Sequence, residues 1–481
     1  MEAVDDPART AYSESRPVHE RLVRARELVG AVFVWTVWAS ATLASVSYIH
    51  RYARNVPFFD DLTVVSVMTG HEPLTYEWAS AQYNEHRNVI PRLLQVGLLR
   101  VIPDFRAGLY LNVGLLSAAA ASMIVLAHRI RGRNTVADVV LPLSILTVGQ
   151  CECLLVGFAL NLVMTAWIAW SLIAVMGRSP HPPSWWSCLQ VGGLLVLLPL
   201  SGGSGMAMLP PLTLWLAGYV ACGWWTSRDP GSSARAIGLS LLMTTSATVT
   251  WYLSGYARPT HIPRASSWSA VCSTTLEVCS LVASPVGWSH PVVAGLAVVL
   301  LACGTAVLLA ITARTSPGER PRALGLMAVL ASMFGIALAV GYSRSGLGPG
   351  SGAYSRYITI TTPLLGVVYF SWLLYGSAAA RRVVQFGMLA LICVGMPAQY
   401  QSARDVGHAR RDLYARIERG LESGMRPDGL LDLACPRLFP DRVIVYRCFR
   451  MLRDAQVGAF CHMAEDDQKQ AVQADLEKAL R

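Results

Sequence analysis

The sequence predicts an all-α polytopic membrane protein with about eleven transmembrane helices. Only 15% of its 481 residues are charged and 53% are hydrophobic, whereas soluble domains carry roughly 25% charged residues. Apolar runs of about 20 residues, the length that crosses a bilayer, recur along the chain. The mean hydropathy of +0.41 agrees with this class.

The first apolar run, 28–49, follows the polar and basic segment 1–27. It is too long for the core of a signal peptide, and no small-residue cleavage site follows it, so we expect a retained span. The third and fifth runs are short, which favours broken or tilted helices. The predicted spans are 28–49, 107–127, 136–150, 153–176, 188–201, 206–223, 236–253, 291–312, 323–342, 357–376 and 383–398, and together they make a transmembrane domain from 28 to 398.

Arginine in the short loops predicts the orientation, because such loops normally carry their positive charge on the cytoplasmic side. Arginines occur in alternate loops such as 128–135, while the connection 202–205 has none. We therefore expect a multi-pass protein of the cell membrane with a cytoplasmic N-terminal segment. The net charge of +10 lies mostly in these loops, so nucleic acid is not an expected partner. The segments expected outside are 50–106, 254–290, 343–356 and the tail 399–481.

The first outer loop, 50–106, is expected to lie in the membrane interface. Apolar residues at helical spacing predict one amphipathic helix from 74 to 90 and a second from Arg92 to Ile102. Pro91 suits the first turn of the second helix. The loop therefore combines membrane contact with the most polar part of the chain.

The outer tail is predicted to be a small α/β unit. The charged stretch 405–422 predicts a helix, and 443–446 predicts a strand. Three cysteines, Cys435, Cys448 and Cys461, are expected in an oxidising compartment. A bridge between Cys435 and Cys448 is one pairing, and the sequence leaves the pairing open.

Two adjacent acids, Asp60 and Asp61, follow the first span. One interpretation is a helix cap or loop pair, and another is an ion or transport site. The third is a general base, since an apolar setting and a neighbouring carboxylate raise the pKa of such a group. The pair alone does not decide between them.

A second charged cluster, Glu85, His86, Arg87 and Arg92, follows in the same loop. A structural salt-bridge network is one interpretation. Alternatively, Arg87 and Arg92 grip a phosphate, because guanidinium groups match its oxygens, and Glu85 or His86 orients a sugar hydroxyl.

Two later positions extend this pattern. Glu152 lies at the outer end of a span, where a carboxylate needs either an arginine partner or an aqueous cavity. Arg356 begins the tenth span, where it either snorkels to the interface or binds an anionic head group. Four further basic residues are candidates for the same positive outer cavity: Arg258, His261, Arg264 and Arg344.

The order of several segments resembles that of a group of polytopic bacterial membrane proteins with FWDDW-like and NEHR-PRLL-like motifs. The matching segments are 57–61, 84–87 with 91–94, 150–158, 256–261 and 355–357, so the resemblance runs from about 55 to 375. Phe59 stands where the group tends to have Trp, Leu62 replaces an aromatic residue after the two acids, and Cys153 stands where Asn is usual. The group is similar to the GT-C class of integral-membrane glycosyltransferases.

This resemblance implies transfer of a sugar from a polyprenyl-phosphate donor to a glycan or lipid acceptor on the outer face, for a cell-envelope polysaccharide. Asp60 or Asp61 would act as the base, and Arg87, Arg92 and Arg356 would hold the leaving phosphate. No cofactor is required, because arginine neutralises a monophosphate, and a divalent cation on the two acids is an open alternative. The rival functions are a transporter or lipid flippase, and a non-catalytic envelope assembly protein.

Overall fold

A computed structural model describes residues 7–178, 185–221, 231–260, 262–283 and 290–464. Most of these residues are helical and none forms a strand, and short 3-10 helices join several of the helices. The helices are α1 (Pro7–Tyr52), α2 (Val65–Met68), α3 (Tyr76–Ser80), α4 (Val89–Val101), α5 (Arg106–Arg131), α6 (Val140–Ile145), α7 (Cys151–Leu155), α8 (Leu160–Arg178), α9 (Trp185–Ser201), α10 (Gly203–Ala221), α11 (Gly231–Leu253), α12 (Trp268–Ser280), α13 (Pro291–Thr315), α14 (Arg320–Arg344), α15 (Arg356–Tyr375), α16 (Ala378–Glu422), α17 (Pro427–Ala434) and α18 (Arg442–Asp454).

Nine helical segments in the described part of the chain are long and apolar enough to cross a membrane. They confirm the polytopic helical character that the hydropathy predicts. The predicted spans 188–201 and 206–223 correspond to α9, an apolar helix of 17 residues, and to α10, which are not among the nine. The count of eleven and the sidedness therefore stay predictions.

The third predicted span is broken, as its short length indicates. Helix α6 ends at Ile145, and only short turns and α7 follow before α8 begins at Leu160. The break leaves the N–H groups of Gly157 and Phe158 at the start of a new helix, where they lack intrahelical partners. Both N–H groups donate hydrogen bonds to the carboxylate of Asp61.

Buried polar contacts fasten one end of the bundle. Arg131 at the end of α5 pairs with the fully buried Asp138 at 2.8 Å, and the hydroxyl of Tyr369 on α15 donates to the same carboxylate. Arg322 on α14 donates to the carbonyl of Gly177. The long loop 53–105 and the tail lie at the other end, which we call the Asp60 end.

The predicted helix from 74 to 90 is wrong. Helix α3 ends at Ser80, and a tight turn follows in which Tyr83 and His86 exchange backbone hydrogen bonds of 2.8 and 2.9 Å. Asn84 has a φ of +49° there, a conformation that Asn tolerates better than most residues. The second predicted helix is confirmed as α4, with Pro91 in its first turn.

The predicted strand 443–446 is also wrong, because these residues open helix α18. The Asp441 carboxylate caps this helix by accepting from the N–H of Val443 at 2.8 Å. Val445, Phe449 and Leu452 recur at helical spacing on its buried face. Val443, Ile444 and Val445 are consecutive β-branched residues in the first turn of α18, and this run conceals the helical period in the sequence. No α/β unit forms in the described part of the tail.

The tail and the first loop share one hydrophobic core. Leu62, Val96 and Phe105 from the loop pack in the same cluster as Phe449 and Phe460 from the tail. The N–H of Phe59 donates to the carbonyl of Leu438 at 3.1 Å. The tail therefore supports the segment that carries Asp60.

The three tail cysteines are free thiols, so the bridge between Cys435 and Cys448 is not formed. Cys448 is buried, and its thiol donates to the carbonyl of Leu62 at 3.6 Å. Burial raises the pKa of this thiol to about 12. Its role here is packing between the tail and the loop.

Candidate functional site

A cavity of about 360 Å³ lies at the Asp60 end between the first loop and helices α7, α8, α14, α15 and α16. Charged and apolar side chains line it together. They are Phe58, Phe59, Asp60, Tyr83, Asn84, Glu85, His86, Glu152, Val156, Phe158, Ala159, Asn161, Leu162, Arg344, Arg356, Tyr357 and Arg410.

Asp60 presents its carboxylate to this cavity from a turn of 3-10 helix, 59–64. The preceding residue, Phe59, has a φ of +47°, a strained conformation of the kind that concentrates at functional sites. The hydroxyl of Tyr83 donates to Asp60 Oδ1 at 2.6 Å. Burial raises the pKa of Asp60, while the Tyr83 hydrogen bond and the positive charge of Arg356 oppose the rise.

Asp61 does not line the cavity. Its Oδ1 accepts from the Phe158 N–H at 2.7 Å and from Gln95 Nε2 at 2.9 Å, and its Oδ2 accepts from the Phe58 and Gly157 N–H groups, each at 3.3 Å. Burial raises its pKa to about 6, and the hydrogen bonds oppose the rise. A Cβ at position 157 would lie 3.0 Å from Oδ1, so glycine allows this close approach. The geometry makes Asp61 the residue that joins the loop to the broken span.

The turn 83–86 brings a second acid into the cavity. Glu85 forms an ion pair with Arg344 from the end of α14, and its Oε1 lies 3.7 Å from His86 Nε2. Arg344 also donates from Nε to the hydroxyl of Tyr357 at 3.2 Å. Glu85 and Arg344 therefore neutralise each other and fix the turn against the bundle.

His86 packs against the first residue of α10, Gly203, where any Cβ would collide with the imidazole. Burial lowers the pKa of His86, and the nearby Glu85 carboxylate opposes this shift. Its Nδ1 is buried without a hydrogen-bond partner among the described residues. This unused nitrogen is the ring atom that faces Gly203, so it packs against the start of α10, while His86 as a whole lines the cavity.

Glu152, on α7, also faces the cavity. Its Oε2 accepts from the Ser355 hydroxyl at 2.9 Å and from the Arg356 N–H at 3.0 Å. The carboxylate thus caps the start of α15, an arrangement that favours a negative charge at a helix N-terminus.

Two cavity arginines, Arg356 and Arg410, have no carboxylate within ion-pair distance among the described residues. The guanidinium of Arg356 lies over the rings of Tyr354 and Tyr357, with 4.8 and 5.4 Å to their centroids. Arg410, on α16, lies over the ring of Phe58, and its Nη1 is buried without a hydrogen-bond partner. A buried, unpaired guanidinium favours an anionic ligand.

The structure places Arg87 and Arg92 outside the cavity lining. Arg87 donates to the carbonyls of Ser80 and Ser254, at 2.9 and 2.8 Å, and joins the loop to the end of α11. The buried Arg92 donates to the carbonyls of Trp78 and Ala81, at 3.1 and 2.9 Å. Both arginines therefore hold the shape of the loop.

The structure thus brings five predicted site residues into one cavity: Asp60, Glu85, His86, Glu152 and Arg356. Arg344 also lines the cavity, whereas Arg258 and Arg264 do not. His261 lies outside the described residues. Sequence reasoning missed Tyr83 and Arg410. Tyr83 lies in the turn that replaces part of the predicted helix 74–90, and Arg410 lies in the predicted outer tail, away from the candidate site segments of the sequence.

No group of three or more His, Cys, Asp or Glu side chains with metal-binding geometry occurs among the residues that the structure describes. The cation-rich wall is made of arginine side chains, which bind carboxylate and phosphate oxygens directly. These arginine side chains together suit an anionic ligand that lies beside the Asp60 carboxylate.

The fold and the cavity define a helical polytopic membrane protein with a polar, arginine-containing cavity at one end of its bundle. Searches against protein-family models, curated proteins and solved structures found no match.

Proposed function

We propose that this protein is a membrane glycosyltransferase of GT-C type that moves a sugar from a polyprenyl phosphate to a glycan or lipid acceptor. The observation that carries the proposal is the placement of Asp60 in one cavity with Arg356 and Arg410. A carboxylate that takes up a proton thus shares a cavity with two guanidinium groups that form no ion pair with any carboxylate in the described part of the chain.

The proposed reaction assigns one role to each group. Asp60 takes the proton of the acceptor hydroxyl, whose oxygen forms a bond to the anomeric carbon of the sugar. The bond from that carbon to the phosphate oxygen breaks, and the polyprenyl phosphate leaves with the electron pair. Arg356 and Arg410 stabilise the charge that develops on this phosphate.

The raised pKa of Asp60 suits this role, because a base is most effective when its pKa lies near the working pH. Tyr83 fixes the carboxylate by donating to Oδ1 at 2.6 Å and leaves Oδ2 without a hydrogen bond from any described residue. His86 and Asn161, which also line the cavity, supply polar contacts for sugar hydroxyls.

The position of the charges favours this proposal over a transporter. Alternating access places ionisable residues near the middle of the spans. Here Arg344 and Arg356 stand at the ends of their helices, and Glu85 belongs to a loop. The proposal includes the orientation in which this end faces the cell exterior, where a polyprenyl-phosphate sugar would meet an envelope acceptor.

The test is transfer by the purified protein in lipid nanodiscs, with radiolabelled polyprenyl-phosphate sugars and isolated envelope glycan as the acceptor. The proposal expects labelled product with at least one donor. It also expects Arg356→Gln or Arg410→Gln to weaken donor binding by about tenfold or more, since each removes a charge-assisted phosphate contact.

Arg129→Gln is the matched control, because Arg129 is an exposed arginine at the opposite end of the bundle. The proposal is wrong if no donor reacts while labelled lipid crosses proteoliposome membranes at a rate that Arg356→Gln abolishes. That result would establish lipid transport at the same site.

A further inference from the structure

A second and larger cavity, of about 750 Å³, lies on the side of the bundle between α1, α6 and α16. Small side chains on α1, including Ala41, Ala44 and Ser47, form its floor. Pro397 and Met396 on α16 form the facing wall. The window of α1 that crosses the membrane is mostly exposed, so the groove opens toward lipid.

One end of this groove is positively charged. Arg51 on α1 and Arg404 on α16 line it there, and both side chains are exposed. No carboxylate lies within ion-pair distance of either guanidinium among the described residues. Arg51 lies 5.5 Å from the ring centroid of Tyr52, which holds it beside the groove.

The length of the groove matches one leaflet of a membrane. It extends along α1 from Thr36 to Arg51, which is ~22 Å at the helical rise of 1.5 Å per residue. Half of a bilayer with its head groups measures about 20–22 Å. The two arginines then stand at the depth of the head groups, and the apolar floor lies at the depth of the acyl chains.

The groove is separate from the Asp60 cavity. No residue lines both of them. The Tyr48 hydroxyl donates to the Ala403 carbonyl at 2.6 Å and closes the wall between α1 and α16. At Gly407 the helices are so close that a Cβ would lie 2.7 Å from the Tyr52 ring. A lipid in the groove therefore does not reach Asp60.

We propose that this groove binds one anionic membrane phospholipid, with its phosphate between Arg51 and Arg404 and one acyl chain along α1. Charge complementarity selects an anionic head group, and the closed wall selects a structural lipid over the sugar donor. This site is independent of the proposed transferase activity. Its occupant would seal α1, whose membrane-crossing window is mostly exposed, against the bundle.

The test is native mass spectrometry of delipidated protein incubated with phosphatidylglycerol or with phosphatidylcholine of the same acyl chains. The proposal expects one phosphatidylglycerol to be retained about tenfold better than phosphatidylcholine. Replacing both arginines, Arg51→Gln with Arg404→Gln, is expected to remove this preference. Both side chains are exposed, so this variant is expected to fold.

A groove-filling variant, Ala44→Phe, is expected to lower the retention of both lipids. Leu43→Phe is its matched control. This substitution also adds bulk, but on an exposed side of α1 that lies outside the groove. The proposal is overturned if the double arginine variant keeps the preference. It is equally overturned if a polyprenyl phosphate displaces the phospholipid one for one, because the groove would then belong to the donor.

Discussion

Asp61 should matter for stability far more than its neighbour Asp60. Its side chain accepts hydrogen bonds from Phe58, Gln95, Gly157 and Phe158. Asp61→Ala would leave four buried donors unsatisfied, at about 1–3 kcal/mol each. We therefore expect the free energy of unfolding to fall by about 4 kcal/mol or more.

Two further variants grade this effect. Asp61→Asn keeps the shape and one acceptor oxygen, so we expect about half of the loss. Asp60→Asn alters only the hydrogen bond from Tyr83, which an amide oxygen still accepts, and should cost about 1 kcal/mol or less.

The assay is equilibrium denaturation of the three variants in mixed micelles, with hydrogen exchange at the Phe158 amide as the local readout. The expected order of loss is Asp61→Ala, Asp61→Asn, Asp60→Asn. If Asp60→Asn destabilises the protein as much as Asp61→Ala, the structural role given to Asp61 is refuted.

Three more predictions concern pH and packing. Burial raises the pKa of Asp61 from 3.8 to about 6, so the folded protein holds the Asp61 proton more tightly than the unfolded chain does. The stability that comes from this proton is complete below pH 4 and is lost as the pH rises to 6. The unfolding free energy of the wild type, measured relative to Asp61→Asn, should therefore fall by about 3 kcal/mol over this range. A difference between the two proteins that does not change with pH would contradict this prediction. Tyr83→Phe removes a hydrogen bond that lowers the pKa of Asp60. The low-pH limb of the pH–rate profile for transfer should therefore move to higher pH. A limb at the wild-type position argues against Asp60 as the base. Phe449→Ala should cost about 3–5 kcal/mol, and protection of the first loop in hydrogen exchange should fall with it, because the tail and the loop share one core.

The helical membrane class was predictable because it depends on apolar run length, a local property. The turn 81–88 was not predictable, because Leu74, Trp78 and Glu85 fit a helical period. The turn is set instead by distant contacts, such as the hydrogen bond from the Gln82 side chain to the carbonyl of Ala257.

The choice between Asp60 and Asp61 also lay beyond the sequence. Adjacent residues in a 3-10 turn point in different directions, and the positive φ of Phe59 decides which one faces the cavity. Arg410 was missed for a related reason, because only the packing of α16 brings it to Phe58, some 350 residues earlier in the chain.

If Asp60 is the base of a sugar transfer, its loss should slow the chemical step and leave donor binding intact. We therefore expect Asp60→Asn in nanodiscs to bind the polyprenyl-phosphate sugar with an affinity within about threefold of wild type. Single-turnover transfer should fall by about 10²–10⁴-fold, the usual contribution of a general base. Transfer by Asp60→Asn at the wild-type rate would show that Asp60 is not the base.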